Sequence, residues 1–353
     1  MKTISIFNQK GGVGKTTSVV NLSVALSKLD KKVLVIDFDP QANTTTGLGI
    51  NKNEQEKSVY KMFYDEDGNY KDYIFKSEEG LYIIPSENSL SGLEVELVSL
   101  DEGERLQILN EIIKEIRDDF DLILIDCPPS LGLLSLNALV ASDSIIIPIQ
   151  TEYYALEGVS ELLNTYQKIK NSIKEDLEIE GILLSMFDKD TELSYEVVEE
   201  VKEFFKEKVF RTMIPRDIKL AEAPSFGKSV IFYDENSKGA RAYMALAREI
   251  SENIFSEKFL EETSNSDSLK DEKDIIDIIK EENFKNFDKK VEAHKEDKDL
   301  SDDKNIDGEN SIKSDENEKN TEEKEEKKFE SGIVKKNKFS FSQNKLVNNE
   351  KRD

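Results

Sequence analysis

A glycine-rich run near the start of the chain carries the residue types that bind phosphate. It consists of Gln9, Lys10, Gly11, Gly12, Val13, Gly14, Lys15, Thr16 and Thr17. Glycines let the backbone bend so that successive N–H groups face an anion, and the N-terminus of a following helix adds partial positive charge. In a loop of this kind, Lys15 reaches the β- and γ-phosphates of a nucleotide and the Thr16 hydroxyl binds Mg²⁺. The run therefore predicts a phosphate-binding loop whose nine residues hold a nucleoside triphosphate with its Mg²⁺.

Two aspartates follow the next apolar run along the chain. Residues 33–36 predict a buried strand, and Asp37 and Asp39 stand at its carboxyl end, which is the edge where open α/β sheets bind ligands. Alternation along the strand puts the two carboxylates on the same side. We expect Asp37 to support Mg²⁺ or Lys15.

A third carboxylate, Asp126, ends the apolar run 122–125. At that position it would bind Mg²⁺, through a water molecule. Phosphoryl transfer to water requires a metal that bridges phosphates, a cation on the γ-phosphate and a positioned water. Lys15, Asp39 and Asp126 together supply these charges, so the sequence predicts nucleotide hydrolysis without a separate nucleophile.

These residues lie in a chain that alternates between strands and helices. Short apolar runs predict strands at 3–7, 32–37, 81–84, 121–126, 144–149 and 177–184. Helical periodicity predicts helices at 16–29, 102–117, 155–170, 195–205 and 240–254. Near-continuous apolar strands are typical of a parallel sheet that is covered on both faces. The order predicts a doubly wound, mostly parallel α/β fold.

Composition divides the chain into two parts. The 353 residues carry a net charge of −25, and residues 258–353 contain 21 Lys and Arg against 28 Asp and Glu with few aromatics. Such a segment cannot bury enough apolar surface to offset its ordering entropy. We therefore expect a domain at 1–256 and a charged, mostly disordered extension at 257–353. Both parts are acidic, so any contact with DNA needs a local basic patch.

The single cysteine and the absence of long apolar stretches limit the other classes of site. Cys127 lies in an apolar run without a partner for a disulfide, a redox pair or a thiolate metal site, so we expect it in the core. The sequence has no apolar stretch of about 18 residues and no signal-peptide pattern. We expect the protein to remain in the cytoplasm.

The glycine-rich run departs from the standard Walker pattern, because Gln9 stands where that pattern has a glycine, five residues before Gly14. Lys10 followed by a glycine pair resembles instead the deviant loop of the ParA/MinD family of P-loop ATPases. The resemblance covers about residues 1–255 and includes five segments in the family's order. It implies that Lys10 crosses a dimer interface to the partner's phosphates, so that two subunits enclose ATP, and that Asp39 orients the attacking water.

Two later segments, 150–158 and 214–225, are also similar to signature segments of ParA proteins. The resemblance implies that Pro215 and Arg216 lie at the adenine pocket and that Glu152 touches the partner's nucleotide. An acid that opens a helix is also an ordinary N-terminal charge, so the sequence leaves both interpretations of Glu152 open.

Within the family, the chain resembles the short ParA type, also called Soj, because its first strand begins near Thr3, without space for an N-terminal helix-turn-helix domain. The resemblance implies that an ATP-bound homodimer binds DNA without sequence preference on the nucleoid, and that a ParB-type partner stimulates hydrolysis. The cations in the later half that are available for DNA are Lys189, Arg211, Arg216, Lys219 and Lys228. The cargo would be a chromosome or a plasmid.

A MinD-like ATPase that cycles on a membrane shares this nucleotide site and is the main alternative. It requires an amphipathic basic helix near the C-terminus. Residues 268–287 are apolar in part but rich in acids, and residues 331–353 have six Lys and Arg against two acids but are too polar to insert. We therefore expect no membrane anchoring. A relative that positions another cargo is the second alternative.

Overall fold

The computed structural model describes residues 1–262 except 53–55, 66–67, 102 and 153–154, and it describes only the backbone at 155–163 and 255–262. The predicted extension lies outside the described residues from 263 onward, as do both candidate membrane segments. The division into two domains stays a prediction.

One sheet of seven strands forms the centre of the described chain. In chain order the strands are β1 (Lys2–Ile6), β2 (Val33–Asp37), β3 (Phe75–Lys76), β4 (Tyr82–Ile84), β5 (Leu122–Asp126), β6 (Ser144–Gln150) and β7 (Glu178–Ser185). Their order in the sheet is β3-β4-β2-β5-β1-β6-β7. All neighbours are parallel except the short pair β3 and β4. The predicted doubly wound, mostly parallel α/β fold is confirmed.

Helices connect the strands and flank the sheet. They are α1 (Lys15–Lys28), α2 (Asn43–Gly47), α3 (Val59–Met62), α4 (Leu90–Leu97), α5 (Ile108–Ile116), α6 (Leu133–Val140), α7 (Ala155–Ser172), α8 (Glu192–Phe205), α9 (Ile218–Glu222), α10 (Val230–Tyr233) and α11 (Lys238–Glu262). Short 3-10 turns lie at Tyr70–Tyr73, Arg117–Asp119, Lys206–Lys208 and Ala223–Phe226.

Both faces of the sheet are buried, as the apolar strands predict. Alternate residues of the strands, such as Ile4 and Ile6 of β1, join a core cluster with the apolar faces of α1 and α11. The intervening residues of β2 and β5, including Ile36 and Ile125, are also fully buried, so the second face is covered as well. A central strand that is buried on both faces positions the residues at its carboxyl end rigidly.

Two predicted helices differ from the observed ones by more than three residues at one end. The helix predicted at 102–117 begins only at Ile108, because Gly103 is followed by a turn in which the amides of Glu104 and Arg105 bond to the carbonyl of Asp101. The last helix, α11, extends to Glu262 and so passes through the predicted boundary at 256.

Candidate functional site

Residues 9–14 of the glycine-rich run lie in the loop between β1 and α1, and the last three residues of the run begin α1. The loop is held at both ends. The Asn8 amide donates to the carbonyl of Pro148 and its oxygen accepts from the Lys10 amide. The Ser185 hydroxyl, at the end of β7, donates to the carbonyl of Val13 at 2.8 Å. Gly14 has a φ of 93° and directly precedes the first residue of α1, a left-handed conformation that glycine adopts without strain. The loop therefore joins strand to helix in the arrangement that binds phosphate.

The two lysines of the run differ in exposure: Lys15 is buried and Lys10 is exposed. The Lys15 ammonium donates to the carbonyl of Lys10 at 3.1 Å. Burial lowers the pKa of Lys15, and the charges of Asp126 and Asp39 oppose that shift. The nearby carboxylates favour the charged form of this desolvated ammonium. It can therefore donate to a phosphate oxygen in place of the loop carbonyl.

Asp126 is the focus of a cluster of hydroxyl groups. Its Oδ2 accepts from the Thr16 hydroxyl at 2.9 Å and from the Thr44 hydroxyl at 2.7 Å. Its Oδ1 is buried and has no hydrogen-bond partner among the residues that the structure describes. A buried carboxylate oxygen without a partner, next to a threonine at the start of the phosphate loop's helix, fits Mg²⁺ and its water ligands.

Asp37 and Asp39 lie beside this cluster but contact different groups. Asp37 pairs with Asp126 in the register of β2 and β5, and its Oδ2 accepts from both the amide and the hydroxyl of Thr45 at 2.7 and 2.6 Å. Its Oδ1 accepts from the Asp39 amide at 3.3 Å. Asp39 is 7% exposed, and its Oδ1 accepts from the amide of Gln41. In this structure Asp37 is thus bound by protein donors, while Lys15 donates to the loop carbonyl.

The pKa values of the two strand-end aspartates are both raised. Burial is the main cause for Asp37, and the charge of Asp126 adds to it. Burial also raises the pKa of Asp126, against the hydrogen bonds from Thr44 and Thr16, and the charge of Asp39 raises it further. Packed carboxylates of this kind gain most from a bound cation.

The later segments predicted to contact the nucleotide meet at the carboxyl edge of β7. The Arg216 guanidinium donates to Glu152 at 3.1 Å. Pro215 pairs with Phe187 in a parallel bridge, two residues after the β7 residue Ser185 that holds the phosphate loop. The fold therefore brings Glu152, Pro215 and Arg216 together on the side of the loop where β7 ends. Their predicted contacts with adenine and with a partner's nucleotide remain predictions.

Several residues of the site were missed by reasoning from the sequence. Thr44 and Thr45 bind the two buried aspartates, and Asn8 and Ser185 anchor the phosphate loop. The run of three threonines at 44–46, which follows Asp39 closely, is a signal that could have indicated the first two. Nothing local indicates Ser185, because its contact crosses from β7 to the loop.

The described residues contain no group of three or more His, Cys, Asp or Glu side chains arranged as a metal site. In the same part of the chain, no helix combines the length and the apolar composition that crossing a bilayer requires.

The site combines a glycine loop after a strand, a helix that begins with the buried Lys15 and with Thr16, and an acid at the end of a neighbouring strand. These features define a P-loop nucleoside triphosphatase fold. A family model described as "AAA domain" matches residues 1–179. The chain is 50% identical over 254 residues to the sporulation initiation inhibitor protein Soj of Bacillus subtilis, covering 71% of this chain and 99% of that relative. The chromosome partitioning protein ParA of Myxococcus xanthus is 45% identical over 250 residues, which are 70% of this chain and 87% of ParA.

The septum site-determining protein MinD of Pyrococcus horikoshii, solved in complex with Mg-ADP, has the same fold with a TM-score of 0.58. It is 28% identical, and the match covers 70% of this chain and 95% of MinD. The chain belongs to the ParA/Soj group of chromosome-partitioning proteins within the ParA/MinD family of P-loop ATPases.

Proposed function

We propose that the protein is a partitioning ATPase that binds ATP with Mg²⁺ in the phosphate loop and hydrolyses it slowly. The observation that carries this proposal is the position of Asp126: Thr16 and Thr44 donate to one oxygen, and the other has no partner in the described part of the chain. Lys15 lies close enough for its pKa to be affected by both Asp126 and Asp39. A phosphate anion would bind Lys15, and a divalent cation beside it would bind Oδ1 of Asp126, so Mg-ATP supplies a partner for each group.

The residues of the chain then divide the chemistry. Lys15 holds the β- and γ-phosphates, and the amides from Gly11 to Thr17 surround them. Thr16 and Asp126 hold Mg²⁺, supported by Asp37, and the metal supplies charge stabilisation to the phosphates. Asp39 orients a water molecule, which forms a bond to the γ-phosphorus while the bond to the β,γ-bridging oxygen breaks, so that ADP and phosphate are released.

Dimer formation completes the site in this proposal. Lys10 is exposed on the loop, and Glu152 pairs with Arg216 at the loop's side, so both lie on surface that a second subunit can reach. Lys10 of one subunit would bind the partner's phosphates, and Glu152 would contact the partner's nucleotide. The paired subunits bind DNA without sequence preference, and a ParB-type protein stimulates hydrolysis and release. In the cell the protein would then be associated with the nucleoid and move a chromosome or plasmid.

Three variants separate the steps. Lys15→Ala removes the buried ammonium and should abolish ATP binding in a titration with a fluorescent nucleotide. Lys10→Ala should keep ATP binding but lose both the ATP-dependent dimer in size-exclusion chromatography with light scattering and hydrolysis. Asp39→Ala should bind ATP and remain a dimer. A Lys10→Ala protein that hydrolyses ATP at the normal rate would contradict the shared site.

The choice of surface is tested by co-sedimentation of the full chain with plain DNA and with anionic liposomes, each with and without ATP. Retention on DNA that requires ATP supports partitioning. Retention on liposomes instead would show the membrane-cycling alternative, and retention on neither would point to another cargo.

A further inference from the structure

The segment after α8 runs beside β7 with two extra residues. The Phe210 amide donates to the carbonyl of Ile182, and the Ile214 amide donates to the carbonyl of Leu184. Four positions separate the two donors, whereas two separate their acceptors. Residues 211–213 therefore form a bulge, and the amides of Arg211 and Thr212 bond away from β7.

A buried carboxylate on α11 accepts these amides. Glu249 is 7% exposed, and its two oxygens accept from the Arg211 amide at 2.7 Å and the Thr212 amide at 3.0 Å. The Arg211 side chain also contacts Glu249, at 3.4 Å, and reaches Glu252 on the surface. Two hydrogen bonds from backbone amides to a buried carboxylate fix the backbone more firmly than the half-exposed ion pair does, because solvent weakens the ion pair.

The bulge determines where the rest of the segment lies. Directly after it, the Phe187 amide donates to the carbonyl of Ile214 and the Arg216 amide donates to the carbonyl of Phe187. These bonds fix Pro215 and Arg216 beside the end of β7, where Ser185 holds the phosphate loop. Without the bulge, Met213 rather than Pro215 would lie opposite Phe187, so the segment would reach this edge two residues earlier in its sequence.

We propose that Glu249 is a positioning residue for nucleobase recognition: by holding the 211–212 amides, it sets the register that places Pro215 and Arg216 at the base. This inference rests on the proposed nucleotide site and on the position of its base beside Pro215 and Arg216, which the resemblance to ParA proteins implies. Glu249 itself touches no nucleotide in this arrangement. Its effect is confined to the base side of the site, because the phosphate side is held independently by Asn8, Ser185 and the carboxylates of β2 and β5.

The test compares a ligand that has a base with one that lacks it. Glu249→Gln leaves one oxygen to accept and directs an NH₂ group at the second amide, so the bulge loses a bond. Titration calorimetry with Mg-ATP and with inorganic Mg-tripolyphosphate should show ATP affinity falling about tenfold, equivalent to about 1.4 kcal/mol. Tripolyphosphate affinity should change less than twofold. Arg211→Ala removes the ion pair but keeps the amide bonds, so both affinities should match those of the parent protein.

If Glu249→Gln weakens both ligands equally, or neither, the positioning role is wrong. If Arg211→Ala reproduces the selective loss, the ion pair rather than the bulge is responsible and the proposal also fails. Glu249→Asp, which keeps the charge but is too short to reach both amides, gives the same comparison should the Gln variant not fold. A parent protein that binds neither ligand would refute the nucleotide site itself.

Discussion

At the residue scale, the site concentrates negative charge where the protein shields it from solvent. Asp37 and Asp126 face each other across β2 and β5, and both are fully buried. Hydroxyl and amide groups of Thr16, Thr44 and Thr45 offset part of the desolvation cost, yet the pKa values of both acids remain raised, mainly by burial. Sites that bind a cation commonly keep such a cost in the unliganded protein, so function and stability compete there.

Replacing Asp126 by Asn should therefore stabilise the ligand-free protein while removing its response to Mg²⁺. The folded pKa of Asp126 lies above the ordinary value of 3.8, so the folded state holds a proton that the unfolded chain releases. The parent protein therefore loses stability as the pH rises from the unfolded pKa of Asp126 to its folded pKa. The Asn variant does not, because its side chain does not titrate. We expect Asp126→Asn to raise the free energy of unfolding by about 1–2 kcal/mol at pH 8 and by nothing near pH 4.

Thermal unfolding at both pH values, with and without Mg-ATP, checks this expectation. The parent protein should gain stability from Mg-ATP, since a ligand of the folded state alone shifts the equilibrium by mass action. The variant should lose the part of that gain that depends on magnesium. A variant less stable than the parent at pH 8 would show that the carboxylate stabilises the empty site.

The three consecutive threonines provide a matched pair of substitutions. The Thr45 hydroxyl donates to Asp37 and accepts from the Ser86 amide, and both bonds are buried. Thr45→Val keeps the shape of the side chain but leaves the Ser86 amide unpaired and removes one hydrogen bond to the Asp37 carboxylate. We therefore expect the free energy of unfolding in urea to fall by about 3 kcal/mol. Thr46→Val, at an exposed neighbour whose hydroxyl bonds to the carbonyl of Ala42, should cost less than about 0.5 kcal/mol. Equal losses would contradict the buried network.

At the element scale, the parts that sequence predicted are those with long or strongly apolar patterns. β2 and β5 were predictable because both faces are buried, and Asp37 and Asp126 follow from their position at the strand ends. α2 was not, because five residues with three threonines have weak helix propensity. That helix forms where Ala42 takes a φ of 55° and the threonine hydroxyls bond to buried acids. Such contacts come from the tertiary structure, which no local pattern contains.

The segment after α2 packs directly on the loop before α10. A Cβ on Gly227 would lie 2.8 Å from the Gly49 Cα, and Gly227 has a φ of 62°. The Asn21 side chain of α1 adds a bond of 2.7 Å to the Val230 amide at the start of α10. The backbone that follows Thr44 and Thr45 is thereby in contact with the loop that carries Lys228.

Gly227→Ala should destabilise the protein by more than its backbone conformation alone explains. We expect a loss of about 2–4 kcal/mol in chemical denaturation, because a strained φ and a collision with backbone atoms add together. Gly68→Ala is the control, since Gly68 has a φ of 70° but no described atom within 4 Å of the added Cβ. That variant should lose only about 1 kcal/mol. Similar losses in the two variants would show that the close approach contributes little.

At the scale of the whole molecule, the net charge of −25 works against any contact with DNA. Three of the five candidate cations are already paired: Arg211 with Glu249 and Glu252, Arg216 with Glu152, and Lys219 with Glu222. Among the described residues no ion pair involves Lys189 or Lys228. Of these five candidates, a dimer would then offer about four unpaired lysines, and the binding of phosphates by so few cations is weak and sensitive to salt.

Binding of plain DNA in the presence of ATP should fall about a hundredfold between 50 and 200 mM salt, as expected when about four counterion-releasing contacts are made. Lys228→Glu removes two of these contacts from the dimer, so the slope of log affinity against log salt should decrease by about 2. Lys114→Glu makes the same change in net charge on α5, where the ammonium pairs with Glu111, and should leave the slope unaltered. Fluorescence anisotropy with a labelled duplex measures both slopes. Equal slopes for the two variants would mean that overall charge, rather than the loop before α10, governs DNA binding.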